Sequence, residues 1–218
     1  MSLKKYLEAC IKEQKLIMNN YVTEAINLKS YNLNDADKIM VMYSKANESD
    51  KSFIYYAEDV LEFKKQNNSE LVGAWGNFVN RTLAFAVKYL NSEISAVTVD
   101  NDIVERVKLL YDSVGSKIEK GAFKEALEDI FEGIHFGNTY YDANQPWKTR
   151  VDNIDECKST IAVCTYLIAN IANLLHPFLP FSSQKVSEWL GTTLKWEEQP
   201  VSVQRIPSDI SILFSKVE

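Results

Sequence analysis

Glu70-Leu-Val-Gly-Ala-Trp-Gly-Asn-Phe-Val-Asn-Arg-Thr-Leu-Ala-Phe-Ala-Val-Lys-Tyr89 reads as one helix with two faces. At about 3.6 residues per turn, Val72, Trp75, Val79, Leu83, Val87 and Leu90 recur as an apolar stripe. Asn77, Arg81 and Lys88 fall together on the other side, because spacings of four and eleven residues nearly complete whole turns. An Asn and an Arg one turn apart are donors that can read a flat polar edge, such as that of a nucleic-acid base. Spacing alone favours an ordinary solvated helix face.

Helices continue on both sides of this stretch. Residues 3 to about 29 carry Tyr6, Leu7, Cys10, Leu16, Ile17, Tyr21, Ala25 and Leu28 as an imperfect stripe without Gly or Pro. Asn32 to Asp35 form a break and cap cluster before a helix to about Tyr43, and residues 57–65 read as another. Downstream, Asp100 or Asn101 caps a helix to about Gly121, loosened at Gly115. Another spans Phe123 to Asp142, with Pro146 closing the turn that follows. Ile154, Cys157, Ile161, Cys164, Ile168, Ile171 and Leu175 step by three and four along a core helix from about Asn153. His176-Pro-Phe-Leu-Pro180 stops it, and Ser182 or Ser183 starts a short last helix ending at Gly191. Val201, Val203 and Ile206 alternate as an extended or hairpin tail. The expected fold is all-α, an antiparallel helical bundle with an extra N-terminal helical segment. The expected division is 1–66, helical segment and connector, and 67–218, the bundle.

Composition agrees. Only 7 Gly and 5 Pro in 218 residues argue against a loop-rich β design and for long uninterrupted helices. No apolar run is read as approaching a membrane span and no signal segment opens the chain, so no membrane is expected and the expected location is cytoplasmic. Reduced cysteines fit that compartment. A net charge of −6 argues against a protein that coats nucleic acid non-specifically, although a local stripe can be basic on an acidic body. Any RNA affinity is expected to be specific, modest, or assisted by another domain.

Gly76-Asn-Phe-Val-Asn-Arg81, preceded by Asn68-Ser-Glu-Leu-Val72, resembles the first helix of the anticodon-binding domain of methionyl-tRNA synthetases, which are class I synthetases. Asn138-Thr-Tyr-Tyr-Asp-Ala-Asn-Gln-Pro-Trp147 resembles a second segment of that domain, which ends in the same Pro-Trp pair. Looser matches run from Met42 to Val72 and from His176 to Gly191, so the resemblance covers roughly residues 36–198. It implies that Trp147 stacks near the first anticodon base and that Asn77 and Arg81 help to read that cytosine. The chemistry suits a single-stranded loop, whose splayed bases offer faces to stack and edges to hydrogen-bond. Lys88 is the candidate phosphate contact. Gln145 departs from the family, where small residues commonly precede the Pro-Trp pair, and this could alter the platform's approach.

The resemblance implies no catalysis by this chain. A working synthetase of this class carries a His-Ile-Gly-His-like element and a Lys-Met-Ser-Lys-Ser-like loop. Here His135 and His176 stand isolated on helices, no Gly-rich turn cradles a phosphate, and Tyr43-Ser-Lys45 is a chance echo. No catalytic residue, metal ligand or cofactor is assigned. ATP and methionine enter only if a catalytic domain belongs to the full protein, so the chain is read as an enzyme only in the sense of a part of a methionine–tRNA ligase. Cys157 and Cys164 share the apolar seam and read as buried thiols, and Cys10 packs in its own helix. His135, between Ile134 and Phe136, reads as a core or boundary histidine, and the acidic run from Glu125 to Asp129 as a solvated face.

Two functions follow. In the first, the chain is the anticodon-binding domain, or a free-standing relative, of a methionyl-tRNA synthetase, and its partner is the anticodon loop of methionine tRNA. In the second, it is a synthetase-derived scaffold for protein interaction or regulation that no longer reads tRNA. Its acidic charge and the unmatched first 35 residues favour that alternative, with the N-terminal helix available to a protein partner or a catalytic domain. An exposed Trp147 beside Asn77 and Arg81 in one basic pocket supports the first; a buried Trp147 in acidic surroundings supports the second.

Overall fold

The computed structural model describes residues 65–95, 98–200 and 204–216. The helices expected before residue 65, Cys10 and the looser match around Met42 lie outside the described residues. Asn67–Glu218 form one compact unit.

The unit opens with a π-helical segment, Asn67–Gly76, that continues into α1, Asn77–Tyr89. Two glycines suit the wider coil. A Cβ on Gly76 would lie 2.9 Å from the Leu71 carbonyl oxygen, and one on Gly73 would lie 3.1 Å from that of Asn68. The apolar stripe points inward as expected. Trp75, Val79 and Leu83 are fully buried, while Val72 and Val87 sit at its margin.

Three longer helices complete the bundle with two short ones. α2 spans Asn101–Glu119, α3 spans Phe123–Asn144, α4 spans Pro146–Asp152, α5 spans Ile154–Leu175 and α6 spans Pro180–Leu190. α5 lies at the centre. Asn153 caps it by accepting a hydrogen bond from the Glu156 amide, and Asp155 and Glu156 complement the positive end of its dipole. Cys157, Ile161, Cys164, Ile168 and Leu175 form the expected seam, but burial extends around every face of the helix. For that reason α5 is long and apolar enough to cross a membrane, a correction to the sequence expectation. Some 89% of its most apolar window is buried among the other helices, as befits the central helix of a bundle.

Other expectations change in detail. Asp100 occupies the N-cap of α2 without a side-chain capping bond. Gly115 does not loosen α2; it makes room for Trp196, whose Nε1 would lie 3.4 Å from an added Cβ. Pro146 opens a helix instead of closing a turn, because its fixed φ and missing N–H suit the first helical position. Pro180 does the same for α6, which therefore starts before Ser182. Gly191 ends α6 with φ 60°.

The segment after α6 crosses back over α5. Asn173 donates to the carbonyl oxygens of Lys195 and Glu197, and to the Tyr111 hydroxyl at 2.9 Å. Asn170 accepts from the Gln199 amide at 2.8 Å and donates to its carbonyl at 3.0 Å. Trp196 meets the Tyr111 ring edge-on, with centroids 5.6 Å apart. The tail then pairs as β2, Gln204–Arg205, antiparallel to β1, Glu93–Ile94, just after α1. It is extended, but its partner is a distant segment and not a tail hairpin; Val201 and Val203 lie outside the described residues.

Candidate nucleic-acid interface

The last turns of α3 carry Asn138, Tyr141 and Asp142, spaced to share one helix face. That face meets Arg81 of α1. One terminal guanidinium nitrogen of Arg81 donates to Asp142 Oδ1 at 2.8 Å, the other donates to the Asn138 carbonyl oxygen at 2.7 Å, and the group lies 4.2 Å from the Tyr141 ring centroid. The Asn138 side chain in turn donates to the carbonyl oxygens of Ala74 and Ile134, at 3.3 and 3.1 Å. Arg81 is therefore fixed by charge, hydrogen bonding and a ring face together. Each terminal nitrogen keeps a second N–H.

Trp147 follows on α4. Its ring lies 5.9 Å from that of Tyr141, with the planes 33° apart, and it is 42% exposed. Arg81 and Trp147 thus both border the Tyr141 ring, one a half-buried cation and the other an exposed indole. The platform's root is firm. Pro146 is buried, and the buried Cys157 thiol donates to its carbonyl oxygen at 3.5 Å. Gln145, the residue that departs from the family, adopts φ 43° and ends α3 while capping α4, which sets the angle between them. Burial pushes the Tyr141 phenol up to about 12, against the pull of the Arg81 charge, so it faces Arg81 as a neutral ring.

Asn77 sits one turn before Arg81, exposed and without a side-chain hydrogen bond among the described residues. Lys88 stands apart from this group, two turns beyond Arg81. Its ammonium is 5.0 Å from the Tyr89 ring centroid, and Arg150 of α4 lies over the same ring at 4.3 Å. The structure therefore joins Arg81 to Trp147, keeps Asn77 adjacent, and places Lys88 in a second basic cluster. Tyr89 and Arg150 were not foreseen. The sequence signal for Arg150 was its position three residues after Trp147, within one turn of the same helix.

Two residues read from sequence sit elsewhere than expected. His135 is neither core nor boundary: it is exposed, with Nε2 3.4 Å from Glu70 Oε2. In the acidic run, Glu125 and Glu128 face solvent, but Asp129 accepts from Lys117 at 2.5 Å and Ser113 at 2.6 Å across the α2–α3 contact. Its partial burial raises its pKa, yet those two donors outweigh the effect and hold the carboxyl below its ordinary value. Cys157 and Cys164 are both buried free thiols, as the seam implied.

The fold is thus a helical bundle with a guanidinium, a tyrosine ring and an exposed indole gathered where three of its helices meet. The family profile described as the anticodon-binding domain of tRNA ligase matches residues 100–217, and the chain belongs to that family. Among curated relatives, the chain is 48% identical over 158 residues to the methionine–tRNA ligase of Bacillus cereus (strain G9842), and 46% identical over 158 residues to that of Bacillus mycoides (strain KBAB4). Each match covers 72% of this chain and 29% of the relative, so the chain spans less than a third of the length of these ligases. In fold it is similar to the apo methionyl-tRNA synthetase of Mycobacterium tuberculosis, with TM-score 0.65 and 20% identity, over 71% of this chain and 34% of that one. The burial of Trp147 that a scaffold would show is not observed, and the scaffold reading is not favoured.

Proposed function

We propose that this chain supplies anticodon recognition to a methionine–tRNA ligase, reading the first anticodon base of methionine tRNA. Activation of methionine with ATP belongs, in this reading, to the remainder of such a ligase. The observation that carries it is the exposed Trp147 beside the Tyr141 ring on which Arg81 rests, with Asn77 one turn before Arg81. The indole receives a splayed base face to face. Asn77 and the remaining N–H groups of Arg81 then meet its Watson–Crick edge, where cytosine offers acceptors. Lys88 supplies positive charge towards the RNA backbone. A cytoplasmic location follows from that role.

The test is binding of an anticodon stem-loop of methionine tRNA, followed by Trp fluorescence, beside a loop whose first anticodon cytosine is replaced. The expected result is cytosine-dependent quenching. Trp147→Ala loses on the order of 1–3 kcal/mol of binding, the usual contribution of one stacked base. Arg81→Ala removes the discrimination between the two loops. Equal binding of both loops by the unaltered chain would overturn the reading.

A further inference from the structure

The Tyr89 ring is backed by Phe85, with centroids 4.8 Å apart, and remains 39% exposed. Arg150 and Lys88 both lie against it, at 4.3 and 5.0 Å from its centroid. Arg150 is also anchored at its other end, since its Nε donates to the Trp147 carbonyl oxygen at 3.3 Å. One arginine thus ties the base platform on α4 to an aromatic at the end of α1. Its terminal nitrogens have no hydrogen-bond acceptor among the described residues. Neither Arg150 nor Lys88 has a carboxylate partner there, whereas Arg81 has Asp142. Two cations thus share one ring on a chain whose net charge is −6. Hydrogen bonding from Lys88 draws the Tyr89 phenol below its ordinary pKa, partly offset by burial, and the charges of Lys88 and Arg150 add to the pull.

We infer that Arg150, held over the Tyr89 ring and joined by Lys88, is a phosphate-binding subsite that grips the RNA backbone next to the base received by Trp147. A guanidinium with free terminal N–H groups offers two parallel donors to a phosphodiester, a geometry that an ammonium lacks. Pre-ordering by Tyr89 and the Trp147 carbonyl removes much of the entropic cost of fixing a long side chain. The inference rests on the anticodon-reading proposal for the identity of the RNA, but the contact it describes is independent of base sequence.

The test is the salt dependence of binding for the full chain and for Arg150→Gln, Arg150→Lys and Tyr89→Leu, each with the cytosine loop and the cytosine-replaced loop. Losing one phosphate contact on a single strand lowers the slope of log K against log salt by about 0.7. Arg150→Gln is expected to show that drop on both loops, with several-fold weaker binding and an unchanged preference for cytosine. Arg150→Lys restores the slope but not the full affinity, and Tyr89→Leu weakens binding with the slope largely retained. If Arg150→Gln leaves the slope unchanged while the cytosine preference stands, the phosphate subsite is wrong and the reading survives. The same holds if the preference is lost without a slope change, which makes Arg150 only a support for Trp147. If both loops bind alike and the slope still drops, the subsite is right and base reading is wrong. Absence of salt-dependent binding to either loop overturns both.

Discussion

Arg81 is held on three sides before any base arrives, and the arrangement carries a consequence for Asp142. The carboxylate fixes one end of the guanidinium fork, and is itself mostly exposed. Asp142→Asn keeps the shape and removes the charge, so Arg81 regains rotamer freedom while the fold is untouched. The expected outcome is a fall in the ratio of affinities for the cytosine and replaced stem-loops, with the midpoint of thermal unfolding within experimental error of the parent. An unchanged ratio would show that the Asn138 carbonyl and the Tyr141 ring orient Arg81 without help. At this scale the sequence was half legible. Helical spacing put Asn77 and Arg81 on one face, and the resemblance singled out Trp147. Periodicity within one helix carries no information about the helix opposite, so the grip of Asn138 and Asp142 on Arg81, and of Arg150 on Tyr89, had to be seen. His135 misled for the same reason: apolar neighbours in sequence lie on other faces of a helix.

Between elements, the decisive contact is the approach of α1 to α3. Phe78, fully buried, presses onto Gly137, where an added Cβ would lie 2.5 Å from two atoms of the ring. That closeness brings Arg81, one turn along α1 from Phe78, within reach of the end of α3. Gly137→Ala therefore forces the helices apart or the ring off its rotamer, with an expected loss of about 1–3 kcal/mol by chemical denaturation. The double variant with Phe78→Leu should recover part of that loss; no recovery would mean that the ring is not the obstacle. The helices themselves were legible because their apolar periodicity is long and strong, as in α5. Their ends were less so. Pro146 gives the same local signal whether it closes a turn or opens a helix, and only the space beneath α4, filled by Pro146 and Cys157, decides between them.

For the whole molecule, the segment from Lys195 to Gln199 acts as a strap over α5 and α2, fastened chiefly by Asn170 and Asn173. Both asparagines are buried in the midst of an apolar helix, where an unpartnered amide would be costly. Asn173→Leu fills similar space but leaves the carbonyl oxygens of Lys195 and Glu197 without their donor. The expected cost is roughly 1–3 kcal/mol. Amide hydrogen exchange should rise in residues 193–200 while α3 and α4 stay protected; a uniform rise would instead mean that the strap and the bundle unfold as one. Neither asparagine belongs to the seam read from the sequence, and loop segments carry no periodicity from which their partners could be read.

The pairing of β1 with β2 has a consequence in time. Its two segments lie at opposite ends of the domain's sequence, and the Ile206 amide donates to the Ser92 carbonyl oxygen at 2.9 Å to extend it. The helix-to-helix contacts of the described residues can form as the chain leaves the ribosome, but this clasp waits until residues 204–206 emerge. A nascent domain stalled before Gln204 would hold its helices with the end of α1 unfastened, and Tyr89 stands at that end.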